Sequence, residues 1–199
     1  MLGPPLVAAP AKPRHRRRWW LAAVPVVAAG IVAAAVASSS GGAADKPPFR
    51  AARAFTLPPV EGGKPAATLR SAPGRPVVLT FFAAWCAPCV SELPLIERLS
   101  RSWQQEGPGA PVVVGVDELD QRPDGLNLVR RTGVTFPSGF DHDGSVGRRW
   151  DVDGLPITVF IAPSGRIVSY HRGQLDQGTL DRLARQLTDV SRSSGTPPR

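Results

Sequence analysis

The sequence predicts an α/β domain, a mixed central sheet flanked by helices, over residues 49–190 of a 199-residue chain. Three observations predict it. Val77 to Ala83 is a nearly continuous apolar run rich in β-formers, as a strand buried on both faces requires. The next segment repeats its apolar residues at three and four, the period of a helix with one buried face. Two further apolar runs, Val112 to Val116 and Ile157 to Ala162, are separated by helical patterns, so strands and helices alternate along the chain.

The elements come in this order. Residues 1–18 form a basic segment ending in Arg14-His15-Arg16-Arg17-Arg18, and Trp19 to Ala37 contains no charged residue. At about 1.5 Å per residue that run spans roughly 28 Å as a helix, close to the hydrocarbon core of a bilayer. Cations on its N-terminal side keep that end in the cytoplasm and place the rest of the chain outside. Trp19 and Trp20 fall where a membrane interface is expected. The segment reads as an uncleaved single-pass transmembrane anchor. Ala35-Val36-Ala37 also fits a signal-peptide cleavage site. An anchor puts the protein at the cell membrane; cleavage makes it secreted or periplasmic. Residues 38–48 are small and polar, a flexible tether, and residues 191–199 read as a disordered tail.

The net charge of +8 is not a nucleic-acid signal. Five of the 24 Lys and Arg residues, and none of the 16 acids, lie in residues 1–44, which leaves the folded part near balance.

Within the domain, Phe55-Thr56-Leu57 is expected as a short strand before the Pro58-Pro59 turn. The long helix is expected from Cys86 to Gln105, with Val90, Leu93, Ile96, Leu99 and Trp103 inward, stopped at Gly107-Pro108-Gly109. Leu126 to Arg131 reads as a short helix ending at Gly133, and Val146 to Trp150 as one more turn. Ile157 to Ala162 and Arg166 to His171 form a hairpin around Pro163-Ser164-Gly165. Asp176 to Val190 closes the domain as a helix with Leu180, Leu183 and Leu187 on one face.

The chain has two cysteines, Cys86 and Cys89, where a buried strand gives way to a helix. As a staple the pair would do little, because a disulfide across so short a loop removes little chain entropy. As a zinc half-site it would need two more ligands, and only His142 and His171 share its side of the membrane. As a redox pair it is well placed, since unpaired N–H groups and the positive end of a helix dipole stabilise a thiolate. Cys86 is then the exposed, low-pKa nucleophile and Cys89 the more buried resolving thiol. Pro88 suits the first turn, where its missing N–H is harmless.

Trp85-Cys86-Ala87-Pro88-Cys89 after Val77 to Ala83 resembles a thioredoxin-fold active site. Cys-x-x-Cys-x-x-Glu-x-Pro, Cys86 to Pro94, is similar to the membrane-anchored TlpA/ResA-like thiol–disulfide oxidoreductases. The likeness runs from Phe55 to Leu187 and includes Gly133-Val134-Thr135-Phe136-Pro137 and Gly154-Leu155-Pro156-Ile157-Thr158. It implies a thioredoxin-like fold with an N-terminal β extension and an insertion over roughly Asp117 to Gly139. It implies a protein-disulfide reductase outside the cytoplasm with no cofactor beyond its own redox-active Cys86–Cys89 disulfide. It implies protein disulfide substrates, apocytochrome c in cytochrome c maturation among them, and recharging by a membrane electron donor.

The same resemblance makes Pro156 a cis-proline that, with Leu155 and Trp85, borders the substrate. Trp85 is expected to cover the cysteine pair or to pack at the surface. Glu92 becomes a candidate proton carrier if burial raises its pKa toward neutrality; otherwise it is an ordinary solvated helix charge. Pro94 matches a helix-kinking proline. Thioredoxins carry a buried Asp six residues before the first cysteine; here Thr80 stands there and cannot hold a charge.

Two alternatives compete. A thioredoxin-fold copper metallochaperone would use Cys-x-x-x-Cys and a distant His, whereas this spacing is Cys-x-x-Cys and the distant candidate is His171. A disulfide oxidase or isomerase would use the same pair at a different potential. A peroxiredoxin is excluded by Ala83, where its Thr-x-x-Cys pattern needs threonine.

Overall fold

The structure, a computed structural model, describes residues 50–70 and 73–194. The basic segment, the membrane segment and the tether lie outside the described residues. Among the described residues no helix is long and apolar enough to cross a membrane.

Among the described residues seven strands and four helices succeed one another. They are β1 (Phe55–Leu57), β2 (Ala67–Leu69), β3 (Val77–Phe82), α1 (Ala87–Glu106), β4 (Val112–Glu118), α2 (Arg122–Thr132), β5 (Ser138–Asp141), α3 (Ser145–Arg149), β6 (Ile157–Ile161), β7 (Ile167–Arg172) and α4 (Gln177–Ser194). Five strands form the central sheet in the order β5-β4-β3-β6-β7, with β1 and β2 a separate antiparallel pair. β3 pairs in parallel with β4 and antiparallel with β6, so the sheet is mixed as expected.

β3 sits at the centre, and every one of its residues is buried. Its side chains alternate between two cores, as the two-residue period of a strand demands. Val78 and Phe82 face a core with Leu93 and Ile96 of α1 and Leu180, Leu183 and Leu187 of α4. Val77, Leu79 and Phe81 face a second core with Phe55, Val146 and Trp150. There the fully buried Trp150 meets Phe55 edge-on at 6.5 Å and Phe81 at 6.2 Å between ring centroids.

Four features depart from the sequence reading. The N-terminal extension is a hairpin, because β2 pairs with β1. The expected insertion contributes to the sheet at both ends, as β4 runs on through Glu118 and Ser138–Asp141 adds an edge strand. α2 starts at Arg122 rather than Leu126, with Pro123 in its first turn, where proline is tolerated. α4 continues to Ser194, past the point where the tail was expected to begin. Ser191 donates its hydroxyl to the Leu187 carbonyl and Ser193 to that of Val190, so the polar end winds on as helix.

Glu97, buried on α1, ties that helix to the loop after α2. Its carboxylate accepts the Thr135 N–H at 2.9 Å and the Thr135 hydroxyl at 2.6 Å, and pairs with Arg101 at 2.6 Å. Glu97→Ala is expected to cost about 1.5–3 kcal/mol, since charge-assisted bonds to Thr135 are lost at a buried place. Urea unfolding checks it: the midpoint falls while the slope is unchanged.

Candidate active site

β3 ends at Phe82 and the chain turns at once, with the Cys86 N–H donating to the Ala83 carbonyl at 3.2 Å. Cys86 is the N-cap of α1, in extended conformation, and Pro88 occupies the first turn. Cys86 and Cys89 are joined as a disulfide, their Cα atoms 5.3 Å apart. The Cys86 sulfur accepts the Cys89 N–H at 3.2 Å. This is the bond an N-cap oxygen makes, with sulfur in its place. A thiolate there would meet both that donor and the positive end of a long helix.

The expected exposure of Cys86 needs correction. Cys86 is 4% exposed and Cys89 1%. In the disulfide form both cysteines belong to the core with Ala83 and Leu93. Cys86 keeps the larger share of the small exposed area.

Pro156 arrives at the start of the strand next to β3. β6 begins at Ile157, which is in register with Phe81, so Pro156 lies at the end of β3 from which the cysteine loop departs. The Leu155–Pro156 bond is cis, as the resemblance implied. Trp85 is 63% exposed, and its indole N–H donates to the Leu119 carbonyl at 3.4 Å. Trp85, Glu118, Leu119, Asp153 and Leu155 line a shallow groove of about 190 Å³.

Glu92 is not a solvated helix charge. It is 1% exposed. Thr158 donates its hydroxyl to it at 3.0 Å and Leu175 its N–H at 2.6 Å. Burial outweighs both donors and pushes the pKa up to about 7. Thr158 is in register with Thr80, and their hydroxyl oxygens lie 3.4 Å apart. One proton per hydroxyl means that Thr158, donating to Glu92, accepts from Thr80. Thr80 therefore ends a hydroxyl chain that leads to an acid on α1. α1 continues past Pro94 to Glu106.

The histidines stand apart from the cysteines in sequence. His142 stacks on Phe140, ring centroids 5.7 Å apart, and His171 lies on β7 in register with Thr158. Among the described residues no group of three His, Cys, Asp or Glu is placed to hold a metal ion.

Sequence reasoning missed a second set of acids. Asp117, Glu118, Asp120 and Asp141 are all buried. Asp141 caps α3, accepting the N–H groups of Val146 and Gly147 at 2.9 Å each. Burial, then repulsion from Asp141, raises Glu118 to about 7. Glycines make the room: a Cβ at Gly125 would lie 1.9 Å from an Asp117 oxygen, and one at Gly147 would lie 1.9 Å from a Glu118 oxygen. Gly125 was the available signal, because a glycine inside a helix is costly and implies a close approach.

The family description "Redoxin" matches residues 47–187. Thiol-disulfide oxidoreductase ResA of Oceanobacillus iheyensis is 33% identical over 118 residues, 59% of this chain and 58% of that protein. ResA of Bacillus thuringiensis is 25% identical over 139 residues, 70% of this chain and 78% of that one. Among solved structures, MTB dsbF is similar with a TM-score of 0.58 and 31% identity, over 68% of this chain and 94% of that one. A thioredoxin family thiol:disulfide interchange protein from Chlorobium tepidum gives 0.60 and 24%, over 73% and 99%. The described domain thus has a thioredoxin-like fold.

Proposed function

The chain belongs to the Redoxin family, and from that membership we propose that it reduces protein disulfides by thiol–disulfide exchange through Cys86 and Cys89, outside the cytoplasm. The observation that carries the reading is the Cys86–Cys89 disulfide at the start of α1, with a buried acid one turn further on.

The geometry supports these steps. In the reduced protein the Cys86 thiolate attacks one sulfur of a substrate disulfide. The substrate S–S bond breaks, and its departing sulfur takes up a proton. Cys86 is left in a mixed disulfide. Cys89 gives its proton to the Glu92 carboxylate and attacks the Cys86 sulfur. The second substrate thiolate leaves, and the protein is back in its disulfide state. The substrate has gained two electrons, and the pair needs two from a membrane electron donor before it can act again. Residues 19–37 hold the domain at the membrane in this reading. Oxidised apocytochrome c is the substrate class proposed, as the resemblance carried by Cys86 to Pro94 implies.

Two measurements test it. Equilibration of the full chain in thiol buffers should give a potential near that of thioredoxin, about −270 mV; a value near about −120 mV makes it an oxidase instead. An oxidised Cys-x-x-Cys-His peptide should be reduced by the dithiol form. Failure with this peptide but success with another protein disulfide would remove only the cytochrome assignment.

A further inference from the structure

The groove beside the cysteine pair holds an acid that the exchange steps do not use. Glu118 ends β4 and lines that groove, together with Trp85, the residue before Cys86, and Leu155, the residue before the cis-proline. Glu118 is only 5% exposed, and its buried Oε2 meets no hydrogen-bond donor among the described residues. The charged groups around it are otherwise engaged. Asp141, in register with it on β5, accepts the N–H groups of Val146 and Gly147. Arg148, the cation that acts on Glu118 through space, donates to the Asp143 carbonyl at 2.7 Å. Asp153, on the same groove, pairs with Arg172 at 3.3 Å, and that guanidinium lies over the Tyr170 ring. A buried carboxyl oxygen without a donor is destabilising until one reaches it.

Apart from its two acids the groove is apolar. Among the described residues Trp85 and Leu119 are the large apolar side chains left exposed, at 63% and 53%, and both line it, with Val152 and Leu155. Leu119 holds a φ of 52°, a left-handed backbone that a leucine rarely adopts, and its carbonyl receives the Trp85 indole. Apolar walls around a buried acid suit a side chain with an apolar stem and a cationic tip. We propose that this groove is a substrate subsite for a lysine or arginine side chain close to the attacked cysteine, its stem against Trp85 and Leu119 and its charged tip on Glu118. The preferred substrate is then a protein disulfide flanked by a basic residue. This specificity rests on the exchange reading, in which Cys86 attacks. The charge on Glu118 agrees with it. Burial and Asp141 hold the acid at about 7, so an entering cation draws off its proton and completes an ion pair.

The reduced full chain, mixed with short disulfide-bonded peptides, serves for the test. The peptides carry a single lysine, norleucine, glutamine or glutamate within a few residues of the cystine. At one of these positions lysine should speed attack about tenfold over norleucine, with glutamate slower than either. Glu118→Gln should bring the ratio of lysine to norleucine rates to about one. A buried ion pair is screened little, so the wild-type ratio should survive about 0.5 M salt. That arm needs no variant to fold. Lysine no faster than norleucine or glutamine at every position overturns the subsite. So does a ratio that Glu118→Gln leaves unchanged, or one that salt abolishes, since exposed acids would then be its source. A wild type inert toward every peptide sinks the exchange reading instead. The same peptides with serine for cysteine then decide the subsite without exchange, by NMR of the Trp85 indole N–H in the disulfide form. The lysine peptide should shift that signal at about tenfold lower concentration than the norleucine peptide. Equal concentrations overturn the subsite.

Discussion

Cys89→Ser is expected to turn the protein into a trap that stays covalently joined to its substrates through Cys86. The resolving sulfur is then absent, so the mixed disulfide has no intramolecular exit. Turnover should fall to background, while the first attack, which needs only Cys86, continues. Non-reducing gels of the cell envelope read the outcome as new high-mass bands that vanish with thiol. Cys86→Ser should lose both turnover and trapping. Trapping by Cys86→Ser and not by Cys89→Ser would reverse the two roles. The positions favour Cys86 as the attacking sulfur: it caps the helix and receives the Cys89 N–H, while Cys89 is the more buried of the two.

The second large effect is on stability. The oxidised domain is expected to lose stability as pH rises from 5 to 8. Glu92 has a pKa of about 7 when folded and about 4.5 when unfolded. Between those values the folded state binds the extra proton, so stability is highest below the unfolded pKa and falls as pH rises toward the folded one. That separation corresponds to about 3 kcal/mol, or roughly 10 °C in Tm for a domain of this size. Asp117 and Glu118, raised to about 8 and about 7, act in the same direction. Glu92→Gln stays neutral throughout and should fall less steeply, ending more stable than the wild type at pH 8. Thermal melts at several pH values decide it. Parallel curves for the two proteins would show that Glu92 ionises in the fold without strain.

The legible part of the sequence was local. Val77 to Ala83 announced the central strand because a strand buried on both faces is almost wholly apolar, Thr80 being its one polar residue. The cysteine pair was legible because its chemistry depends on one helical turn. β5, Ser138–Asp141, was not, since Ser-Gly-Phe-Asp has no β-branched residue and pairs because β4 offers it an edge. Gly139 is needed there for a reason outside its own strand: a Cβ would lie 2.5 Å from the Leu57 Cβ on the N-terminal hairpin. The acids after Val116 fell in the expected insertion, beyond the end of the expected strand. Their burial depends on α2 and α3 closing over them, which no periodicity in Asp-Glu-Leu-Asp foretells. Glu92 lay between, named by its motif but given its environment by Thr158 and Leu175, distant in the chain.

The glycines that make room for the acids also constrain how this sequence can drift. Gly125 with Asp117, and Gly147 with Glu118, each behave as one site split between two places in the chain. An alanine at either glycine would first require its acid to shrink, and an enlarged acid has nowhere to go while the helices stay put. Among homologues these positions should therefore change in pairs or not at all. A lineage that has lost the acid is free to fill the glycine, which would leave a record of which relatives have kept each buried carboxyl.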